Sequence, residues 1–251
     1  MEKAIELIDV HKSFGKHVIH QGIDLDIIKG GITCIIGPSG TGKSVLLKQM
    51  SGLLPPSKGE IKVDGKSIVG LKGDKLMSIR KKFGILFQNA ALFDSMTVMQ
   101  NVAFPLNEHS KKSKKEIEEI VIDKLHLVGL KDVEDKLPSE LSGGMRKRVG
   151  LARAIALEPD IILYDEPTTG LDPIMTDVVD SLIFDTQKKL GKTSVVVSHD
   201  IESTLKIADH IAMLYEGRVI HFGTPEDFER TDNPYVRQFF SASREGPIDV
   251  I

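Results

Sequence analysis

The segment Gly37-Pro38-Ser39-Gly40-Thr41-Gly42-Lys43-Ser44 follows the apolar run Ile32 to Ile36 directly and leads without a break into Val45 to Met50, which reads as an apolar helix. A strand, a glycine-rich turn and a helix in that order restrict the chain to α/β architectures with a phosphate-binding loop at a strand end. The chemistry asks for these residue types. Glycines let the backbone curl until successive N–H groups, and the helix N-terminus at Val45, face a chain of phosphates. Lys43 adds a mobile positive charge, and the Ser44 hydroxyl is suited to ligating Mg²⁺. The expected ligand is ATP with Mg²⁺.

Other parts of the chain agree with an α/β core. Short β-branched runs alternate with helix-period stretches, the pattern of parallel strands covered by helices. The clearest buried strands are Gly31 to Ile36, Asp160 to Tyr164 and Thr193 to Val197. Ser113-Lys-Lys-Glu116 is a capping box, and Ile117, Ile120, Val121, Leu125 and Val128 then recur at helical spacing until Gly129. Ile174, Met175, Val178, Val179, Leu182 and Ile183 form a second stripe ending at Leu190-Gly191, and Thr224-Pro225 opens a late helix. No internal repeat is found.

Composition narrows the class further. With 251 residues, 41% of them hydrophobic and 27% charged, the chain can bury a sizeable core in one or two domains. A net charge of −3 from 33 basic and 36 acidic side chains gives no general field toward nucleic acid, so no nucleic-acid partner is expected. Cys34 stands alone inside an apolar run and reads as a buried small hydrophobe in a reducing compartment. No signal segment is read at the N-terminus, and nowhere do about 18 apolar residues run together. The expectation is a cytosolic or peripheral chain that does not span a membrane by itself.

A phosphate loop needs a second magnesium anchor. Ile161-Ile-Leu-Tyr164 delivers Asp165 and Glu166 to the C-terminal edge of a strand, where ligands of open α/β sheets gather. Asp165 is placed to hold Mg²⁺, and Glu166, one residue on, to polarise an attacking water as general base. Val195-Val-Val-Ser-His199 repeats the arrangement and presents a histidine able to donate to a γ-phosphate or orient the water. The remaining histidines, His11, His17, His20, His109, His126, His210 and His221, read as structural. Leu141-Ser142-Gly143-Gly144-Met145 opens a helix whose stripe includes Val149, Ala152 and Ile155; Ser142 reads as its N-cap, and the glycines expose the first amides. That makes a second anion-binding helix end.

Taken in order, the phosphate loop, Gln88, Leu141-Ser-Gly-Gly-Met145, Asp165-Glu166, Gly170-Leu171-Asp172 and His199 resemble the ATPases of ABC transporters over nearly the whole chain. The resemblance implies a P-loop fold with a mainly parallel core sheet, an N-terminal antiparallel β part and a helical subdomain over about residues 87–157. The whole of 1–251 then forms a single ATPase domain that closes with a helix and tail over about 224–251. It implies that Phe14 stacks on adenine, Gln88 senses Mg²⁺ and γ-phosphate, Asp172 lies at a dimer seam and His199 is the switch histidine. It also implies a head-to-tail pair, Ser142 to Met145 of one copy closing on ATP held by Gly37 to Val45 of the other. Two positions depart from the usual pattern: Met145 replaces glutamine, and Thr169-Gly-Leu-Asp172 replaces Ser-Ala-Leu-Asp. Neither removes a phosphate donor.

Finer features resemble the Mla/Mce-type phospholipid transport ATPases: Leu86-Phe-Gln-Asn-Ala-Ala-Leu-Phe93 with Asn101-Val-Ala-Phe-Pro-Leu106, the Pro138-Ser-Glu-Leu prefix to the signature, and Val236-Arg-Gln-Phe-Phe240 before Gly246-Pro247. This likeness implies an integral permease partner, an MCE-type lipid-binding protein, and a place on the cytoplasmic face of an inner membrane. The apolar side chains from Ala90 to Phe93, with Met96, Val98, Val102 and Phe104-Pro105, suit either a helical-subdomain core or a helix from the permease. Lys111 to Lys115 reads as a solvated helix start. The polar tail after Phe240 reads either as an unpacked terminus or, from the resemblance, as a contact with the neighbouring ATPase. Another transported solute, a soluble ABC ATPase of DNA repair or translation, and a nucleotide-binding regulator without turnover are the alternative readings.

Overall fold

A computed structural model describes residues 2–248. In chain order its elements are β1 (Lys3–Phe14), β2 (His17–Ile28), β3 (Ile32–Ile36), α1 (Lys43–Met50), β4 (Lys58–Val63), β5 (Lys66–Ser67), α2 (Gly73–Arg80), β6 (Phe83–Leu86), α3 (Val98–His109) and α4 (Lys114–Leu127). A 3₁₀ turn at Pro138–Glu140 precedes α5 (Gly143–Ile155), β7 (Ile161–Asp165), α6 (Pro173–Leu190), β8 (Thr193–Val197), α7 (Ile201–Ile207), β9 (His210–Tyr215), β10 (Arg218–Gly223), α8 (Pro225–Arg230) and α9 (Pro234–Phe240). The chain divides into two compact units, Met1–Arg80 with Val195–Ile251, and Lys81–Ser194.

The first unit contains an antiparallel sheet in the order β2-β1-β4-β5. Its strands alternate as a half-buried sheet must: Ile5 and Leu7 of β1 face inward and pair with Ile27 and Leu25 of β2. β3 is different, because all five of its residues are buried. It runs parallel to β9, and β10 returns antiparallel to β9 through a turn at Glu216-Gly217, both in the left-handed region. Ile36, Ile211 and Met213 of these strands pack with Phe228 of α8 and Val236 of α9. Cys34 is fully buried. β3 begins at Ile32, where the apolar run begins and one residue later than the strand read from Gly31; the Ile32 N–H is taken by the Asp209 carboxylate at 2.8 Å. As far as Ile248 the tail is held: Gln238 of α9 accepts from the Ile248 N–H at 2.6 Å and donates to the Ile248 carbonyl at 3.0 Å, and the rest of the tail, 249–251, lies outside the described residues.

In the second unit β6 and β7 pair in parallel, with Gly84 opposite Ile162 and Leu86 opposite Tyr164. Helices α3, α4 and α5 pack on one another around Val102, Leu106, Val121, Leu125, Val149 and Leu151, all buried. The capping box at Ser113 forms as read, Glu116 N–H bonding to the Ser113 hydroxyl while the Glu116 carboxylate returns to the Ser113 N–H. Thr97 and Gln100 form another at the start of α3. β7 spans Ile161–Asp165 and not Asp160 to Tyr164, since the Asp160 and Ile161 N–H groups both bond to the Lys82 carbonyl before the ladder begins. The expected stripe on α6 also shifts. Ile174 is 77% exposed and Val178 39%, and the buried face runs through Val179, Ile183, Thr186 and Gln187 at helical spacing. The first turns of α6 reach past the core, so their apolar side chains meet solvent. Among the described residues no helix is long and apolar enough to cross a membrane.

Candidate functional site

In the first unit the glycine-rich loop leaves the buried end of β3 and turns into α1. Gly37, Gly40 and Gly42 take φ of 144°, 80° and 96°, values that a side chain would strain. At Gly37 a Cβ would also strike the Leu214 carbonyl, so the loop can pass the end of β9 only without a side chain there. Thr41 Oγ1 donates to the Pro38 carbonyl at 2.9 Å and closes the turn. Lys43 is 5% exposed, and its ammonium donates to the carbonyls of Gly37 at 2.8 Å and Pro38 at 2.9 Å. The cation is therefore folded over its own loop, above the N-terminus of α1, where Ser44 and Val45 follow half-buried. Backbone donors around a concave turn, one lysine and one hydroxyl form a donor set that fits phosphate oxygens and a hard divalent cation.

One of the histidines read as structural supports this loop from β2. His20 of β2 is fully buried; its Nδ1 meets Gln49 Oε1 of α1 at 2.8 Å and its Nε2 meets the Gly42 carbonyl at 3.1 Å. Burial pushes the His20 imidazole below its ordinary value against the opposing effect of these hydrogen bonds. The ring braces the loop from behind, and a Cβ on Gly42 would collide with it. Phe14 ends β1 half-exposed, with the Lys12 ammonium 4.9 Å from its ring centroid. The Ser198 N–H bonds to the Ile35 carbonyl at 3.1 Å, so the exposed His199 leaves β8 beside the strand that feeds the loop.

The second unit centres on the turn after β7. Asp165 ends the strand and Glu166 follows at φ 48°, a left-handed conformation seldom taken by a residue with a side chain. Glu166 Oε2 accepts from Thr169 Oγ1 at 2.9 Å and from Gln88 Nε2 at 3.3 Å. Gln88 and Glu166, 78 residues apart in sequence, are thus brought together by the parallel pairing of β6 with β7. Lys147, which the sequence reading passed over, reaches the same turn from α5. It is 7% exposed and donates to the carbonyls of Pro167 at 2.5 Å and Thr169 at 2.7 Å. Burial lowers its ammonium to about 8, against the charge of Glu166. A signal was present, since 147 lies one helical turn from buried Gly144 and Leu151.

Ser142 caps α5 as read, its hydroxyl accepting the Met145 N–H at 3.2 Å. A Cβ on Gly144 would run into the Met175 methyl of α6, so this glycine admits close packing beside the exposed helix start. Asp172 caps α6 with one carboxylate oxygen on the N–H groups of Ile174 and Met175, both at 3.0 Å. Arg153 donates to the carbonyls of Ala90 at 2.6 Å and Ala91 at 2.8 Å, two left-handed alanines directly after Gln88 and Asn89.

These features define a phosphate-binding α/β ATPase of the cassette type. The ABC transporter family model matches residues 20–169. The chain is 47% identical to the probable ribonucleotide transport ATP-binding protein Mkl of Mycobacterium leprae, over 99% of this chain and 72% of that protein. It is 44% identical to the intermembrane phospholipid transport system ATP-binding protein MlaF of Haemophilus influenzae, over 98% of this chain and 94% of that one. Its fold matches the dimeric cassette MJ0796, solved in a post-hydrolysis state bound to ADP and Pi, with a TM-score of 0.81 and 33% identity, covering 88% of this chain and 98% of that one. The chain belongs to the ABC transporter family. It is an ATP-binding, ATP-hydrolysing cassette.

Proposed function

We propose that two copies of this chain pair head to tail and energise phospholipid transport through an integral permease, with an MCE-type lipid-binding protein as a further partner. The work is done peripherally, on the cytoplasmic face of an inner membrane. The glycine loop from Gly37 to Val45 holds the ATP phosphates, with Lys43 as direct charge partner and Phe14 against adenine. Ser44, Asp165 and Gln88 would hold Mg²⁺, which when bound would supply positive charge to the phosphate oxygens. Glu166 takes a proton from the attacking water, and His199 orients that water or donates to the γ-phosphate. Ser142, Gly143, Gly144 and Met145 present their helix end to the nucleotide on the other copy, and Asp172 lies at the seam.

The observation that carries this reading is the Glu166 carboxylate at a strand end, whose Oε2 accepts from both Gln88 and Thr169. A carboxylate fixed by neutral donors in a strained turn keeps one orientation at little cost on reaction. The cargo rests on the near full-length likeness to the MlaF relative. A second reading, another solute, draws on the Mkl relative, which is named for ribonucleotide transport. Purification of the assembled complex from detergent-solubilised membranes, with mass spectrometry of its proteins and lipids, separates them. An integral permease with bound phospholipid is the expected result. Ribonucleotide in place of lipid moves the cargo to the second reading, and recovery without any integral partner contradicts transport.

A further inference from the structure

We propose that Lys147 is a positioning residue that locks the helix bearing Ser142 to the turn bearing Glu166, so that the two ends of the catalytic apparatus carried by one copy move together. This rests on the roles given above to Ser142 and Glu166.

The geometry is specific. The Lys147 ammonium bonds to the Pro167 and Thr169 carbonyls, both in the turn immediately after Glu166. Thr169 is held at two points, its carbonyl by Lys147 and its hydroxyl by the Glu166 carboxylate at 2.9 Å. A buried ammonium is costly unless its protons are taken up, and an apolar side chain of the same length would fill this space without that cost. What the ammonium adds over such a side chain is a directed grip on two backbone oxygens. Glu166 needs that grip, because its left-handed φ of 48° persists only where the surroundings hold it.

A path of contacts follows. Lys147 lies on α5, whose N-cap is Ser142; the gripped turn continues through Gly170 and Leu171 to Asp172, which caps α6. Displacement of the Ser142 end pulls on Thr169, and through it on the Glu166 carboxylate and the Asp172 turn. In a head-to-tail pair, Ser142 meets the nucleotide of the other copy and Glu166 acts on the nucleotide of its own. Lys147 thereby makes engagement at one ATP a condition for alignment at the other.

The test uses the full chain and three readouts: ATP affinity, turnover and thermal unfolding. Lys147→Met is expected to lower kcat about tenfold or more, with ATP affinity kept within about twofold and the melting midpoint retained, the split that a lost aligning contact produces. Lys147→Gln, whose amide still donates to a backbone carbonyl, is expected to recover part of the rate. Adding Thr169→Val to Lys147→Met should cost nothing further, since both changes cut the same link. Wild-type kcat in Lys147→Met, or losses that multiply in the double variant, would overturn the proposal. If Lys147→Met does not fold, Lys147→Leu decides by the same readouts: lowered kcat with unchanged ATP affinity supports the link, and unchanged kcat refutes it. Glu166→Gln assayed alongside reports on the underlying reading separately. Full turnover in that variant removes Glu166 from its role, whatever Lys147 does.

Discussion

The roles proposed for Glu166 and Lys43 belong to different parts of the reaction, and single substitutions separate them. Glu166→Gln keeps the shape of the side chain and removes the proton acceptor. Turnover is expected to fall at least about a hundredfold with ATP binding intact, as measured by steady-state hydrolysis beside equilibrium binding. Lys43→Ala removes the cation proposed as direct partner of the phosphates, so ATP affinity itself should fall by about tenfold or more in the same binding assay. His20 gives a pH signature. Its imidazole is held below the ordinary value by burial, so as pH falls below 6.5 the unfolded chain takes up a proton that the folded chain resists. The folded state loses stability in that window. Urea denaturation at neutral pH and near pH 5.5 should show a smaller loss in His20→Gln than in the parent, and equal losses in both would refute the brace.

Helices, strands and their caps were the most legible parts of the sequence, because their signals are local. The residues of the capping box at Ser113, of the glycine loop after β3 and of the acidic pair at the end of β7 each lie within a few positions of one another. Lys147 and His20 were not legible in the same way, since their partners sit 20 to 29 residues away and depend on which faces pack together. The outward turn of Ile174 and Val178 has the same cause: periodicity gave a stripe on α6, but only packing decides how far along a helix the core extends. At this scale Ser142→Arg is the informative change. An arginine at the exposed N-cap of α5 removes the cap and blocks approach of another molecule to the helix end. ATP binding by the isolated chain should persist while hydrolysis is abolished; normal hydrolysis would argue against a site completed in trans.

At the scale of the whole molecule, the donors proposed for one nucleotide belong to two copies of the chain, and that is the central claim. Cys34 is buried and is the only native cysteine, so engineered thiols can be read without background. Ser39 in the glycine loop and Ser142 at the α5 cap are both exposed in the single chain. The decisive measurement mixes two single-cysteine variants in the Glu166→Gln background, one with Ser39→Cys and the other with Ser142→Cys, and follows disulfide formation in ATP and in ADP. A cross-linked product of twice the chain's mass, formed only in the mixture and only with ATP, is the predicted result. No cross-link in the mixture, with ready linkage inside one chain carrying both cysteines, would contradict the account.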